Sequence, residues 1–283
     1  MRNLPSSTDD YSKRLGFTII PGGRHPTGTE NTIAGFEDQT YLELLSQYDP
    51  SQDESLCSFL EKHEGGAAVG LQTASAEQSA RFLRSRGLEP KTGEGSIKLE
   101  GMEGPPPVFW RWVDINDGTA LGNSIFLIEY TPARMEYREK HPEQYGQTSH
   151  QNTGKNLSKV WIAVRGLEEA AKRYQHIGLT RKATLDFPWL NAKGLELQAG
   201  NGSILLLTPT GDKGETVRFL AQRGEGVIGA SIEVASLATC ERTLRQSKVD
   251  TQTQTGPDQT SLMVHANGTH GLFLEFFQKI GRK

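Results

Sequence analysis

The residues with the most direct chemical use stand near the start of the chain, in the segment PGGRHP (21–26). Arg24 is a cation whose paired N–H donors suit an anion, and His25 titrates near neutral pH. The two glycines before them permit a close approach of the backbone. Asn31 follows and could orient a substrate oxygen. The pattern predicts a small-molecule site, with Arg24 and Asn31 binding the substrate and His25 catalytic. The alternative is an ordered hairpin loop whose arginine forms a surface salt bridge.

Three carboxylates interrupt segments that otherwise have the apolar pattern of buried strands. They are Glu43 in TYLELLS (40–46), Glu129 in SIFLIEYTP (124–132) and Glu275 in GLFLEFFQ (271–278). A buried carboxylate is costly unless it is paired, so each needs a partner. Perturbed carboxylates cluster in pockets, and we therefore predict Glu43 and Glu129 as catalytic acid or base residues. The alternative is a structural role in which Arg24 or Arg111 is the partner.

An aromatic segment, FWRWV (109–113), supplies the remaining binding candidates. Trp110 and Trp112 alternate with Arg111 on a predicted strand, so the two indoles share one face and the guanidinium takes the other. We predict all three as substrate-binding residues. Core packing is the alternative for one of the tryptophans, and the lining of an aromatic cleft is expected of the other.

The strands that carry these residues belong to an internal repeat. Each copy has an amphipathic helix, and three of the helices end at a glycine suited to a left-handed conformation. These glycines are Gly16, Gly87 and Gly178. Apolar strands precede three of the helices, namely AAVGLQTA (67–74), KVWIAV (159–164) and GASIEV (229–234). The sequence therefore predicts an α+β fold with four tandem βαβββ units, paired into two half-barrel modules.

A long polar segment, residues 132–156, separates the second unit from the third. It exceeds the length of an ordinary connection, which indicates a boundary near residue 155. We expect a first half at residues 1–155 and a second half at residues 156–283, each a pair of units.

The first unit is predicted to lack its first strand. Met1 to Leu4 align with the text of the third unit from Val164 onward, where that unit's first strand has just ended. One hypothesis is a misplaced start. The other is a shortened unit whose exposed sheet edge is covered by a neighbour or by a homodimer partner. Either way, the first unit should have three strands and a partly open cleft.

Composition narrows the classes of function. The net charge of −3 lacks the basic excess that nucleic-acid binding requires, and no apolar run is long enough to span a membrane. Two cysteines far apart and a charged N-terminus favour a reduced, cytoplasmic location. No P-loop, Rossmann fingerprint, nucleophile elbow or CxxC motif is present.

Repeated βαβββ units with carboxylates near the last strands resemble the vicinal oxygen chelate superfamily of glyoxalases, ring-cleaving dioxygenases and bleomycin-resistance proteins. Residues 17–45, with FWRWV (109–113) and FLIEY (126–130), look like its glyoxalase-like domain family. The resemblance implies a small-molecule cleft and an enzyme of lyase or isomerase type on a small oxygenated metabolite, less readily a ring-cleaving dioxygenase. The alternative that it implies is a non-catalytic, drug-sequestering protein of the bleomycin-resistance type.

The resemblance also implies where a divalent metal would bind, because metal-dependent members use residues of the first and last strands of paired units. In the first half those positions supply Glu43 and Glu129 but only Ala68 from a first strand. Two carboxylates without an imidazole make a poor transition-metal site, so no cofactor is assigned. The matching positions of the second half, which we expect on one concave face, hold no metal site. They are Lys159, Leu206, Gly229 and Glu275.

Overall fold

The computed structural model describes residues 1–99, 102–115, 125–255 and 260–279 of the chain. It is a mixed α+β structure whose described strands form two four-stranded sheets and one eight-stranded sheet. Its elements follow the predicted order of helix and strands four times along the sequence.

The first unit begins with a helix and continues as a three-stranded hairpin series. Asn3 caps α1 by accepting a hydrogen bond from the Ser6 N–H, and Gly16 ends the helical segment with a φ of 74°. The elements are α1 (Leu4–Asp9), a π-helical turn (Asp10–Arg14), β1 (Ile20–Arg24), β2 (Thr29–Gly35) and β3 (Tyr41–Gln47).

The second unit follows a connecting helix, α2 (Glu54–Lys62), and contains a complete set of elements. Ser75 caps its helix, and Gly87 follows the helix with a φ of 78°. The elements are β4 (Val69–Gln72), α3 (Ala76–Ser85), β5 (Lys91–Gly95), β6 (Lys98–Leu99), β7 (Trp110–Asp114) and β8 (Ile125–Tyr130). Strand β6 joins the first unit's sheet, in the order β3-β2-β1-β6, whereas the others form the sheet β4-β8-β7-β5.

The polar segment between the halves contains two short helices, α4 (Pro132–Lys140) and α5 (Pro142–Tyr145). Proline opens each of them, a position at which the missing N–H costs nothing. Aromatic and apolar side chains of α4 and α5 pack on Ile97, Leu99 and Phe109, so the two helices cover one end of the first half.

The third and fourth units share the eight-stranded sheet, in the order β10-β11-β12-β9-β13-β16-β15-β14. The third unit has β9 (Gly154–Ala163), α6 (Leu167–His176), β10 (Thr180–Phe187), β11 (Ala192–Ala199) and β12 (Gly202–Pro209). After the connecting helix α7 (Glu215–Arg223), the fourth unit has β13 (Gly226–Val234), α8 (Leu237–Gln246), β14 (Thr251–Thr255), β15 (Thr260–Val264) and β16 (Phe273–Phe277).

The pairing of strands confirms the repeat. In each complete unit the first strand lies parallel to the last one, as β4 with β8, β9 with β12 and β13 with β16. In the second half β9 and β13 also pair with each other, which joins two units into one sheet. In the first half β3 and β4 are the ends of separate sheets, and no described strand lies between them.

Each sheet has one face against helices, here called the helix face, and an opposite concave face. Two large apolar clusters fill the space between helix faces, and each draws on both halves of the chain. One joins α1 and β3 with α8 and β16, through residues such as Leu15, Leu44, Leu244 and Phe276. The other joins α3 with α6, through residues such as Ala80, Leu83, Ala170 and Tyr174. The two halves are therefore packed together through their helix layers.

The expectation that Leu206 and Glu275 share a concave face is wrong. Leu206 packs among the α6 side chains, whereas Glu275 lies opposite the α8-facing residues Leu274 and Phe276. The residue of β12 that shares the concave face is Leu205, which packs with Trp161. Neighbouring strand residues point to opposite faces, so an offset of one position reverses the prediction.

Candidate functional site

A cleft of about 870 Å³ lies between β3 and β4, where none of the strands that the structure describes pairs with either edge. Its walls include the β3 segment Asp38–Leu45, the β4 segment Gly65–Ala74 and β8 residues of the concave face, and it extends to β9. The β3 edge is open there, because the carbonyl of Leu45 accepts a hydrogen bond from the Met1 ammonium rather than from a strand. The cleft is thus bordered by unpaired backbone and by concave-face side chains.

Glu43 lies on the wall of this cleft, on the face of β3 opposite the buried Leu44. Its Oε1 accepts a hydrogen bond of 2.6 Å from the Asn31 amide, while Asn31 Oδ1 accepts from the Gly23 N–H at 3.0 Å. A Cβ on Gly22 would lie 1.7 Å from that same Oδ1, so only glycine fits at Gly22. The glycines of the PGGRHP segment therefore fix Asn31, and Asn31 fixes the carboxylate.

His25 lies near this pair and faces the aromatic side of the concave face. Its Nδ1 is 3.0 Å from Thr29 Oγ1, and its ring packs edge-on to Trp110 with centroids 5.8 Å apart. Burial lowers the pKa of His25, an effect that the nearby Glu43 carboxylate opposes. The imidazole is consequently neutral at neutral pH and can accept a proton.

Two tyrosines lie on the same concave face as Glu43. The hydroxyls of Tyr41 and Tyr130 are 2.7 Å apart, which links β3 to β8 across the concave face. Burial raises the pKa of Tyr41 well above its ordinary value, and burial also raises the pKa of Tyr130. Both hydroxyls therefore stay protonated and remain hydrogen-bond donors at neutral pH.

Two arginines of α4 adjoin the tyrosines. The Arg134 guanidinium lies 4.1 Å from the centroid of the Tyr130 ring, and Arg138 lies 5.9 Å from that of Tyr145. Burial, together with the neighbouring Arg134, lowers the pKa of Arg138. This cluster has no counterpart in the sequence-based site, which placed the cation for an anion at Arg24.

Three of the predicted site residues lie away from the cleft, in ion pairs. Arg24 is 3.1 Å from Glu30 and stacks on Tyr48, with two-thirds of its side chain exposed. Arg111 pairs with Glu129 at 3.2 Å on the helix face, and Glu129 also accepts a hydrogen bond from the N–H of Ala76 at the start of α3. These contacts match the structural alternatives given for each of them.

The carboxylates Glu43 and Glu129 are not brought together. Glu129 shares its face with Ile125, which packs against α3, and the concave-face residue that matches Glu43 in the second unit is Phe126. The parallel strand registers show that Phe126, Leu205 and Glu275 are equivalent positions of the last strands. Each of them pairs with the first-strand residue that stands five positions before the N-cap of the unit's helix. The predicted pair of carboxylates in one cleft is therefore corrected to one.

Trp110 and Trp112 share the concave face, as their alternation predicts. A Cβ on Gly95 or Gly93, the residues paired with them on β5, would lie within 2.3 Å of the respective indole. Trp110 packs with α4 and α5 and contacts His25. It thus forms part of the wall behind His25.

The second half presents a filled concave face instead of a site. Trp161, Leu205, Met263 and Phe273 pack there in one apolar cluster. Glu275 accepts a hydrogen bond from Ser231, whose hydroxyl accepts one from the Trp161 indole N–H. Two further side chains of this half, Lys159 and Glu196, are 3.3 Å apart. These polar side chains therefore have partners within the second half.

The donors at the cleft do not suit a divalent metal. Within the described ranges no three His, Cys, Asp or Glu side chains cluster closely enough to bind an ion. Glu129 lies on the helix face, and the first-strand positions Ala68 and Gly70 carry no ligand. Of the predicted ligands only Glu43 remains, with the His25 imidazole nearby, and these two are too few for a transition metal.

None of the helices in the described part of the chain has the length and apolar character that crossing a bilayer requires.

The residues that sequence reasoning missed are Tyr41, Tyr130, Arg134 and Arg138. Tyr41 stands two positions before Glu43, so strand alternation places it on the same face. The two arginines stand four apart in PARMEYREK, which puts them on one side of a helix. The polarity of that segment predicts a connection, whereas the helical spacing of Arg134 and Arg138 is the signal that identifies them.

Comparison with solved structures finds similar folds at low identity. A methylmalonyl-CoA epimerase from Mycobacterium tuberculosis is 21% identical, with 45% of this chain and 90% of that chain covered and a TM-score of 0.43. A hypothetical protein from Bacillus halodurans C-125 is 22% identical, with 45% and 96% covered and a TM-score of 0.41. A Streptomyces coelicolor methylmalonyl-CoA epimerase variant in complex with 2-nitronate-propionyl-CoA is 19% identical, with 44% and 97% covered and a TM-score of 0.40. No residue role is transferred from these structures.

Functionally curated proteins give no significant match to the sequence. The family model of the glyoxalase-like domain matches residues 1–178, more than half of the chain and all of the polar cleft side chains described above. The resemblance seen in the PGGRHP segment and in the strands that follow is thereby confirmed. The chain belongs to the glyoxalase-like domain family.

Proposed function

We propose that the chain is an enzyme of isomerase or lyase type that removes a proton next to a carbonyl group of a small oxygenated metabolite. The observation that carries the proposal is the contrast between the two concave faces. The first half exposes Glu43, Tyr41 and Tyr130 to a cleft, whereas the second half fills the matching face with apolar side chains. Polar groups that converge on a cleft are the general mark of a binding or active site.

Glu43 is the proposed general base. Asn31 holds one of its oxygens, and no described residue hydrogen-bonds to the other, which can face a substrate C–H. Removal of that proton by Glu43 sends the electron pair to the substrate carbonyl oxygen and gives an enolate. The hydroxyl pair of Tyr41 and Tyr130 would donate a hydrogen bond to the enolate oxygen, and stabilisation of such developing charge is a major source of catalysis.

His25 is the proposed second proton carrier. Its lowered pKa makes it a neutral base at neutral pH, and its Nε2 has no hydrogen-bond partner among the described residues. After taking up a proton from solvent at Nε2, it would give that proton to the product carbon or to a leaving oxygen, while the proton on Glu43 passes to solvent. Return to the opposite face of the same carbon, or to a neighbouring carbon, gives an isomerase, and departure of a β-oxygen gives a lyase.

The test measures the exchange of carbon-bound hydrogen for deuterium. The exchange is monitored by ¹H NMR in D₂O with a panel of small oxo and hydroxy-oxo compounds. We expect the wild-type protein to exchange a C–H next to a carbonyl in at least one compound. Glu43→Gln should slow that exchange by about 10²–10⁴-fold, the usual contribution of a general base. The matched control is Glu275→Gln, which alters the equivalent position of the fourth unit and should leave the exchange rate unchanged.

A binder without catalysis gives a different result. If a compound binds in the cleft, as judged by saturable chemical shift changes, and no C–H exchanges above the uncatalysed rate, the protein sequesters its ligand. Equal loss of exchange in both glutamine variants would mean that Glu43 acts through stability and not through chemistry.

A further inference from the structure

Two positive charges on α4 have no negative partner. Arg134 and Arg138 lie one helical turn apart, and neither guanidinium forms an ion pair or a hydrogen bond with any residue that the structure describes. Both side chains are half-buried, and the Nε of Arg134 is buried and lacks an acceptor altogether. A half-buried cation without a negative partner costs free energy, so such an arrangement is retained where a ligand supplies the missing charge.

The side chains around these arginines are neutral hydrogen-bond donors. Tyr130 lies under Arg134, and Tyr145, whose pKa burial raises to about 12, lies beside Arg138. The cluster of two guanidinium groups and two phenol groups therefore carries a net positive charge and abundant donors. Guanidinium groups bind carboxylates and phosphates through paired N–H donors. An anionic ligand also supplies the negative charge that the two arginines lack, which a neutral or cationic ligand does not.

The cluster connects with the proposed active site through one hydrogen bond. Tyr130 donates to or accepts from Tyr41, and Tyr41 and Glu43 line the same cleft. An anion held by the arginines would therefore place the adjoining carbon atoms beside the hydroxyl pair. It would also lie near the carboxylate that Asn31 holds.

We propose that Arg134 and Arg138 bind the oxyanion of the substrate, a carboxylate or phosphate attached to the carbonyl compound that Glu43 deprotonates. The role of the anion in the reaction rests on the proposed function, whereas its binding by the two arginines does not. The substrate class is thus a small anionic oxo compound, and Arg134 and Arg138 determine specificity for the charge.

The experiment is isothermal titration calorimetry of the full chain with inorganic phosphate and, separately, with malonate. We expect saturable binding of at least one probe, and tighter binding of phosphate or of malonate assigns the oxyanion to a phosphate or a carboxylate. Arg134→Met combined with Arg138→Met should weaken the binding by at least about tenfold, which corresponds to ~1.4 kcal/mol. Arg81→Met, which removes an exposed arginine paired with Glu77, is the control and should bind as the wild type does.

Folding of the variants is checked by thermal unfolding without a probe. The methionine pair should melt at or above the wild-type temperature, because it removes two half-buried charges that have no negative partner. Arg134→Lys provides a second variant that keeps the charge and loses the planar fork, and it should bind more weakly than the wild type. Absence of saturable binding by either probe, or equal binding by wild type and the methionine pair, overturns the proposal.

The outcomes for the two proposals can be told apart. Arginine-dependent binding of phosphate or malonate without any C–H exchange leaves the anion site standing and refutes the proposed reaction. The reverse result is exchange that depends on Glu43, occurs equally in neutral and anionic compounds and does not change in the arginine variants. That result leaves the proposed reaction standing and refutes the anion site.

Discussion

At the scale of single residues, chemical type alone does not tell which of the predicted side chains come together. Glu43, Asn31 and His25 stand together as their types suggest, whereas Arg24, Arg111 and Glu129 have equally reactive types and lie in ion pairs outside it. What separates the two groups is the direction in which each side chain points, not its chemical type. A charge in an apolar strand points to one of two faces, and only the packing of its neighbours decides which.

His150 shows how a residue of catalytic type can serve the fold. It lies between the halves, where Nδ1 accepts the Thr18 N–H at 2.9 Å and Nε2 donates to the carbonyl of Gly35 at 3.1 Å. The acceptor role of Nδ1 requires the neutral ring, and Phe17 and Phe36 pack edge-on against it. Burial accordingly lowers the pKa of His150. His150 is therefore a buried structural residue that connects the two halves.

The first prediction concerns acid stability. A histidine whose pKa is lowered by folding binds fewer protons in the native than in the unfolded state below its ordinary value of 6.5. Its contribution is therefore complete above that value and is lost as the pH falls through the folded-state pKa. His25 and His63, whose pKa values burial also lowers, act in the same direction.

We expect the free energy of unfolding to decrease between pH 7 and pH 5, and His150→Gln to reduce the size of that decrease. The same variant should lose about 1–3 kcal/mol at pH 8, because the buried N–H of Thr18 or the carbonyl of Gly35 loses its partner. Urea unfolding at several pH values measures both effects. A pH slope equal to that of the wild type would assign the titration to other groups.

At the scale of elements, the repeat could be predicted because it rests on turn chemistry and apolar periodicity. The glycines after three helices have positive φ values of 74°, 78° and 104°, as their C-terminal position requires. The registers could not be predicted. SILLLTP and IFLIEY are apolar on both faces, so their composition does not show which residue faces the helices.

The position of the first unit's helix was predictable for a different reason, since Met1 to Leu4 align with the third unit from Val164 onward. The structure confirms that alignment, because the Met1 ammonium donates to Leu45 as the Val164 N–H donates to Leu207. The cleft occupies the position that β9 occupies in the second half.

The second prediction tests the open edge by amide hydrogen exchange. Antiparallel strands bond at alternate residues, and the Leu45 carbonyl faces the edge, so the amides of Tyr41 and Glu43 face it as well. We expect them to exchange at least about a hundredfold faster than the amide of Leu44, which bonds to β2. Leu205 on β12, which lies between two strands, is the control and should exchange slowly. Uniform protection along β3 would show that another chain or segment covers the edge in solution.

At the scale of the whole molecule, the helix layers explain why one chain holds a site and a filled module. The clusters between α1 and α8 and between α3 and α6 bury side chains of both halves. The second half therefore stabilises the strands that carry Tyr41, Glu43 and Tyr130. This crosswise pairing lies beyond the reach of sequence patterns, because an amphipathic helix does not indicate which distant helix it will face.

The last prediction is that the two halves unfold together. Tryptophan fluorescence separates them, since Trp161→Phe with Trp189→Phe leaves Trp110 and Trp112 in the first half, and the reverse pair leaves the second. We expect both reporters to give one coincident transition in urea, because neither half keeps its helix layer covered when the other unfolds.

Leu83→Ala sharpens that test. Leu83 is fully buried on α3 and shares its cluster with α6, so its truncation should cost about 2–5 kcal/mol and lower the midpoint seen by both reporters equally. Phe82→Ala on the same helix removes an exposed ring and serves as the control for helix propensity. A midpoint that falls for the first-half reporter alone would mean that the halves are independent domains, in which case their shared clusters contribute little to stability and the boundary near residue 155 is a true domain limit.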